Sequence, residues 1–283
     1  TGGRGGRLGM RRAAPNNRES DMRAREREAG AVGRIEQPLG REHADFETTL
    51  TNLLQTVKAM SEVKVVRRWP RARSAPFVAP VRQPIEPQRA DAKIRIIAIG
   101  ASTGGPPVLQ TILSGLPEEF PVPLLVVQHI SPGFLPGMMD WLHQTTGFRI
   151  QIASYGAAAL PGHVYLAPDG FHMGMSAGGQ ILLTKEEPEN GLRPAVSFLF
   201  RSLAEAYGAH ALGVLLTGMG KDGAAELKLL KDKGAVTIAQ DFDSSVVHGM
   251  PGEAIALGGA TYVLPAATIA ATLMTLVNCR NDK

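Results

Sequence analysis

The sequence predicts an α/β fold: a doubly wound, mostly parallel sheet flanked by helices, with an antiparallel hairpin insertion. Three observations carry that expectation. From Lys93 onward, short apolar runs alternate with stretches of helical periodicity. Several runs are apolar without alternation, as strands are when helices cover both faces of a parallel sheet. The region 163–184 holds two strand-like runs with no long helix between them, which reads as a hairpin.

The elements follow in order. A strand at 94–99 (IRIIAI) leads into Gly100-Ala101-Ser102-Thr103-Gly104-Gly105, two prolines, and a helical pattern over 106–116. A strand at 124–128 (LLVVQ) precedes a helix at 133–146, then strands at 149–153, 163–166 and 180–184. A helix at 195–207, a strand at 212–217 (LGVLLT), a glycine-rich turn and a helix at 221–233 come next. The chain continues with a strand at 235–239, a helix at 250–257, a strand at 260–264 and a helix at 266–277. The apolar stretch 262–277 is shorter than the roughly 20 residues of a membrane span, and it carries Pro265. It reads as a strand end followed by a packed helix.

Upstream the character changes. Residues 1–68 form a basic, partly disordered segment, within which 45–68 show apolar positions that suit one amphipathic helix. Residues 69–92 hold Pro70, Pro76, Pro80, Pro84 and Pro87 and read as an extended linker to a domain spanning 93–283. Residues 1–93 carry 19 Lys+Arg against 11 Asp+Glu, and residues 94–283 carry 11 against 15. A basic tail on an acidic body is one signature of nucleic-acid binding. Here the arginines are interleaved with Glu and Pro, and Trp69 is the one aromatic in the densest cluster, so no nucleic-acid partner is expected. The single cysteine, Cys279, rules out an internal disulfide and a cysteine metal cluster and suits a reducing cytosol. An Arg-rich start without an apolar core argues against a secretory signal.

The turn at 100–105 admits two chemistries. As a dinucleotide fingerprint, its second glycine is replaced by Ser102, and the next strand ends in Gln128-His129 instead of an acidic residue. A Walker loop would need a Gly-Lys-Ser/Thr, which is missing. As G-x-S-x-G, the turn sets a serine between strand and helix with its hydroxyl above the carboxyl edge of the sheet. On its own the pattern leaves a simple capping serine open.

A serine hydroxyl needs a base to take its proton. Of seven histidines, only His129 stands at the end of a neighbouring strand with a loop, "SPGFLPG", that would line a cleft. The base in turn needs an orienting carboxylate. Asp222, in the turn after the strand 212–217, occupies the same topological place, although an aspartate there also caps helices, and Asp169 and Asp241 are rivals in comparable loops. Three strand ends delivering Ser102, His129 and Asp222 to one rim give a serine-hydrolase constellation. Its order differs from the Ser…Asp/Glu…His of the α/β-hydrolases.

The stretches "IGASTGG" (99–105), "QHISPGF" (128–134), "LPGHVYLAP" (160–168), "GLRPAVSFLF" (191–200), "GVLLTGMGKDGA" (213–224) and "VVHGMPGEA" (246–254) resemble the catalytic domain of the CheB-type chemotaxis protein-glutamate methylesterases. The resemblance spans about residues 93–277. It implies a cytoplasmic, cofactor-free and metal-free hydrolase of glutamate γ-methyl esters on methyl-accepting chemoreceptors, which also deamidates receptor glutamines. By motif it makes Ser102 the nucleophile, His129 the base and then acid, Asp222 the orienting carboxylate, and Thr103 with the backbone N–H of Met219 the oxyanion donors. For Met219 a filler beside the turn is the alternative reading, compatible with a role for its backbone. Two departures are visible: Leu192 and Ser197 stand where the family often has His and Asp, which touches receptor recognition in this reading. Upstream, 27–40 and the following helix resemble only the last strand, loop and helix of a receiver domain, with Gln37 where a Lys precedes the proline. The resemblance therefore implies a truncated receiver without phosphorylation control from a histidine kinase pathway. An inactive receptor-docking module and a nucleotide-binding protein are the alternatives.

Overall fold

A computed structural model describes residues 92–278. The basic segment, the receiver-like stretch, the helix expected at 45–68 and the linker up to residue 91 lie outside the described residues.

Among the described residues nine strands and six α-helices follow one another: β1 (Ile96–Ala101), α1 (Gly105–Ser114), β2 (Leu124–Gln128), α2 (Leu135–Thr146), β3 (Arg149–Ile152), β4 (His163–Leu166), β5 (His172–Met175), β6 (Ile181–Thr184), α3 (Val196–Ala206), β7 (Ala211–Leu215), α4 (Ala224–Asp232), β8 (Val236–Gln240), α5 (Met250–Ala256), β9 (Tyr262–Leu264) and α6 (Ala266–Asn278). Seven strands form one parallel sheet in the order β3-β4-β2-β1-β7-β8-β9. Helices cover both faces, which explains the missing alternation. Ile97, Ile99 and Ala101 of β1 pack into the core shared with Leu109 and Ile112 of α1, Leu142 of α2 and Leu273 of α6. Ile96 and Ala98 of the same strand face the opposite core with Leu199 and Phe200 of α3, Leu227 of α4 and Met250 of α5. In α1 alone, Val108, Leu109, Ile112 and Leu113 are buried, a gross stabilisation of roughly 6–12 kcal/mol.

The connections from β1 and β7 set the functional edge. These strands are neighbours, but the chain leaves β1 for α1 on one face and β7 for α4 on the other. Such a divergence opens a crevice at the carboxyl ends of the strands, the place where open α/β sheets bind ligands.

The hairpin differs from expectation. The run 163–166 pairs in parallel with β2 and β3 inside the main sheet. The antiparallel partner of β6 is instead β5, "HMGM", which carries no strand signature in the sequence. Its Gly174 is required by packing: a Cβ there would lie 2.9 Å from the Ser202 Oγ of α3. The Ser202 hydroxyl also accepts the Met175 N–H at 3.1 Å, fixing the hairpin to the helix. The first strand is shifted as well, running to Ala101 because β2 and β7 supply ladder partners for Gly100 on either side.

Candidate active site

Parallel pairing sets the first two residues side by side. Ala101 is in register with Gln128, so Ser102 and His129 leave adjacent strand tips one residue later. The His129 N–H donates to the Ala101 carbonyl at 2.9 Å, and the Ser102 N–H donates to the Thr217 carbonyl at 3.0 Å. The tip of β1 is thereby tied to both neighbours. A buried amide reinforces the tie: Gln128 Nε2 donates to the carbonyls of Ser102 and His129, each at 2.8 Å. Gly105 is glycine because of that amide, since a Cβ would come within 2.2 Å of Gln128 Oε1.

The carboxylate arrives from the turn after β7. Asp222 is buried, and its Oδ2 lies 2.9 Å from His129 Nε2. The pair stands at ion-pair distance without hydrogen-bond alignment. Asp222 Oδ2 also accepts the Val196 N–H at 2.6 Å, and Oδ1 accepts the Ser197 N–H at 3.0 Å and the Ser197 hydroxyl. Val196 and Ser197 open α3, so the carboxylate sits where unpaired helix N–H groups and the positive end of the helix dipole favour an anion. Burial pushes the Asp222 pKa up. The close approach of the His129 imidazole, the Ser197 hydroxyl and the Val196 N–H outweigh it and hold the carboxyl below its usual range.

Because Nε2 faces Asp222, Nδ1 is the imidazole nitrogen left for a proton from a nucleophile. This is the reverse of the nitrogen usage in the chymotrypsin-type triad. Ser102 shares the rim, but among the described residues its hydroxyl makes no hydrogen bond. Catalytic hydrogen bonds are often long or misaligned before substrate binds. The turn carrying Met219 touches the serine directly, since a Cβ on Gly218 would lie 2.7 Å from Ser102 Cβ. Gly218 is fixed by Val247, Gly249 and Met250, through its N–H at 2.9 Å and its carbonyl at 3.0 and 2.9 Å. The N–H of Met219 that follows donates to no acceptor among the described residues. Thr103 is held through its carbonyl, which accepts the hydroxyl of buried Thr217 at 2.9 Å.

The rival residues are occupied elsewhere. Asp169 Oδ2 accepts the Gly133 N–H at 2.8 Å, closing the loop after β2. Asp241 Oδ1 accepts the Ser244 N–H at 3.1 Å and its hydroxyl at 2.6 Å, a local turn cap. Among the described residues no other histidine pairs with a carboxylate. His172, for example, is buried and uses Nδ1 to accept the Ala195 N–H at 3.3 Å. No group of three or more His, Cys, Asp or Glu among these residues is placed to hold a metal ion.

The structure corrects the reading of Ser197, which touches Asp222 instead of lying at a recognition surface. It also adds Gln128, Thr217 and the first N–H of α3, none of which sequence reasoning singled out. For Gln128 a signal existed: an apolar run ending in an amide inside the quoted "QHISPGF".

The family model described as CheB methylesterase matches residues 97–273. A protein-glutamate methylesterase/protein-glutamine glutaminase of Nitrosospira multiformis is 54% identical over 256 residues, covering 90% of this chain and 72% of the relative. A relative of the same name from Syntrophus aciditrophicus is 51% identical, covering 88% of this chain and 71% of the relative. The crystal structure of the Thermotoga maritima CheB methylesterase catalytic domain matches with a TM-score of 0.63 at 42% identity, covering 66% of this chain and all of that one. A sheet with its serine, imidazole and carboxylate loops on one edge, matched along its length by these proteins, belongs to the CheB methylesterase family.

Proposed function

We propose that the chain hydrolyses γ-methyl esters of glutamate side chains on chemoreceptors, releasing methanol, and deamidates receptor glutamines, by a Ser102–His129–Asp222 relay. The observation that carries this reading is the 2.9 Å approach of His129 to Asp222 beside the Ser102 turn. The names of the similar proteins support the substrate class.

The steps follow from the groups on the rim. Ser102 Oγ attacks the ester carbonyl while its proton passes to His129 Nδ1. The tetrahedral oxyanion is met by the Met219 N–H and by Thr103. Asp222 stabilises the imidazolium through Nε2. Collapse breaks the bond to the methoxy oxygen, which takes the proton from His129 and leaves as methanol. Water then attacks the acyl-serine and gives a proton to His129, which passes it to Ser102 Oγ as the acyl bond breaks, freeing the glutamate and restoring the serine hydroxyl. With a glutamine substrate the leaving group is ammonia. Each oxyanion donor of this kind is worth about 2.7–4 kcal/mol in the barrier.

The same reading assigns residues 93–283 as the catalytic unit behind a Pro-rich linker at 69–92, acting on chemoreceptors in the cytoplasm. Among the described residues no helix is long and apolar enough to cross a membrane. The test is methanol release from methylated receptors by wild type and Ser102→Ala in parallel. Release by the wild type, abolished in the variant, supports the proposal. Equal release by both overturns the relay, and none by the wild type overturns the hydrolase reading and favours a docking role.

A further inference from the structure

We infer that Ser197 is a positioning residue for the ester hydrolysis, its hydroxyl orienting the Asp222 carboxylate toward His129; this rests on the esterase reading above. A hydroxyl carries one proton and two acceptor sites. The Gly223 N–H donates to Ser197 Oγ at 3.1 Å, and the hydroxyl proton is directed at Asp222 Oδ1. Ser197 therefore grips two successive residues of the turn, the carboxylate of Asp222 and the backbone of Gly223, while its own N–H holds the same carboxylate oxygen. The side chain is 4% exposed, so no water competes for these bonds.

The division of labour on Asp222 makes this hydroxyl informative. The N–H groups of Val196 and Ser197 belong to the main chain and survive any side-chain change except proline. The Ser197 hydroxyl is the one side-chain hydrogen-bond donor to Asp222 among the described residues, where His129 approaches as an ion-pair partner. Removing it has two consequences. Oδ1 is less compensated, so the carboxylate attracts the imidazolium more strongly and His129 keeps its proton to higher pH. The Gly223 N–H loses its acceptor, and the turn that aims the carboxylate loosens.

Neither consequence touches a substrate contact, so the effect falls on kcat and on pH dependence. Ser197→Ala is expected to lower kcat about 10- to 100-fold, the range for losing a hydrogen bond to a charged group. KM stays within about two-fold, and the acid limb of kcat/KM moves to higher pH. Ser197→Thr, which restores a hydroxyl, is expected to return both toward wild type. NMR titration of the His129 imidazole in a Ser102→Ala background reads the same displacement without turnover, with the midpoint higher in Ser197→Ala/Ser102→Ala than in Ser102→Ala. Unchanged kcat together with an unchanged His129 titration overturns the inference. Should Ser197→Ala fail to fold, Ser197→Cys replaces it: a thiol is a weak donor, so lowered kcat and a raised acid limb support the inference, and wild-type values overturn it. Full activity in Ser102→Ala would remove the Ser102 relay, while the His129 titration would still decide whether Ser197 governs the pair.

Discussion

Replacing Gln128 with methionine separates stability from catalysis in a way the geometry makes quantitative. The amide donates to the carbonyls of Ser102 and His129. The Ser102 carbonyl keeps a second partner, the Gly105 N–H at 2.8 Å, whereas the His129 carbonyl has no other among the described residues. One part-buried carbonyl is therefore orphaned, at up to about 1–3 kcal/mol. Against that, Gln128 Oε1 is itself buried without a partner, and its removal returns a similar amount. What remains is the net worth of two hydrogen bonds, about 1–3 kcal/mol, or about 2–12 °C in Tm for a domain of this size. Catalysis should suffer far more. The amide is a clamp between the two strand tips that carry the nucleophile and the base, and misplacing reacting groups by about 1 Å can cost about 100-fold. Gln128→Met is thus expected to lose about 10- to 100-fold in kcat while remaining folded, read by methanol release alongside thermal denaturation. A folded variant with kcat within about two-fold of wild type would refute the clamp.

Three further outcomes follow from the same contacts. Gly105→Ala drives a Cβ to within 2.2 Å of Gln128 Oε1 and 2.8 Å of Ala101 Cβ, so it should destabilise by about 1–3 kcal/mol in urea unfolding; an unchanged midpoint would contradict the close approach. Asp222→Asn should lower kcat by about three to four orders of magnitude, whereas Asp241→Asn should leave steady-state kinetics within about three-fold; comparable losses in both would contradict the assignment of the carboxylate. Because the Asp222 carboxyl is held below its ordinary range in the fold, the stability it confers is fully present above the unfolded carboxylate pKa of about 4 and is lost as pH falls through the lower folded value. Unfolding free energy measured against pH should therefore show an acid slope in the wild type that is reduced in Asp222→Asn, and superimposable slopes would count against it.

What the sequence made legible is what depends on local pattern and strand order. β2 and β4 coincide with their apolar runs, and Ser102, His129 and Asp222 emerge at one edge because each follows the carboxyl end of a buried strand, directly for Ser102 and His129 and through the turn after β7 for Asp222, and parallel strands share a direction. β5 was not legible because "HMGM" lacks branched or aromatic residues; it is a strand only because α3 packs against Gly174. Gln128 and Ser197 escaped for another reason. The contacts that give them their roles, Gln128 with the Ser102 carbonyl and Ser197 with Asp222, span 26 and 25 residues of the chain, and no local spacing announces a contact made by the fold. Ser197 was misread as a departure in recognition, since a serine near a helix start has many uses and only the packing of α3 against the β7 turn selects one.

The central claim is that His129, held by Asp222, activates Ser102 in particular. The most direct measurement is covalent labelling by a fluorophosphonate, which reacts with activated serines, followed by peptide mapping of the modified residue. The account predicts stoichiometric modification at Ser102, slowed at least about 1000-fold in His129→Gln. Labelling at another serine, or labelling of Ser102 that proceeds equally fast without the imidazole, would contradict it.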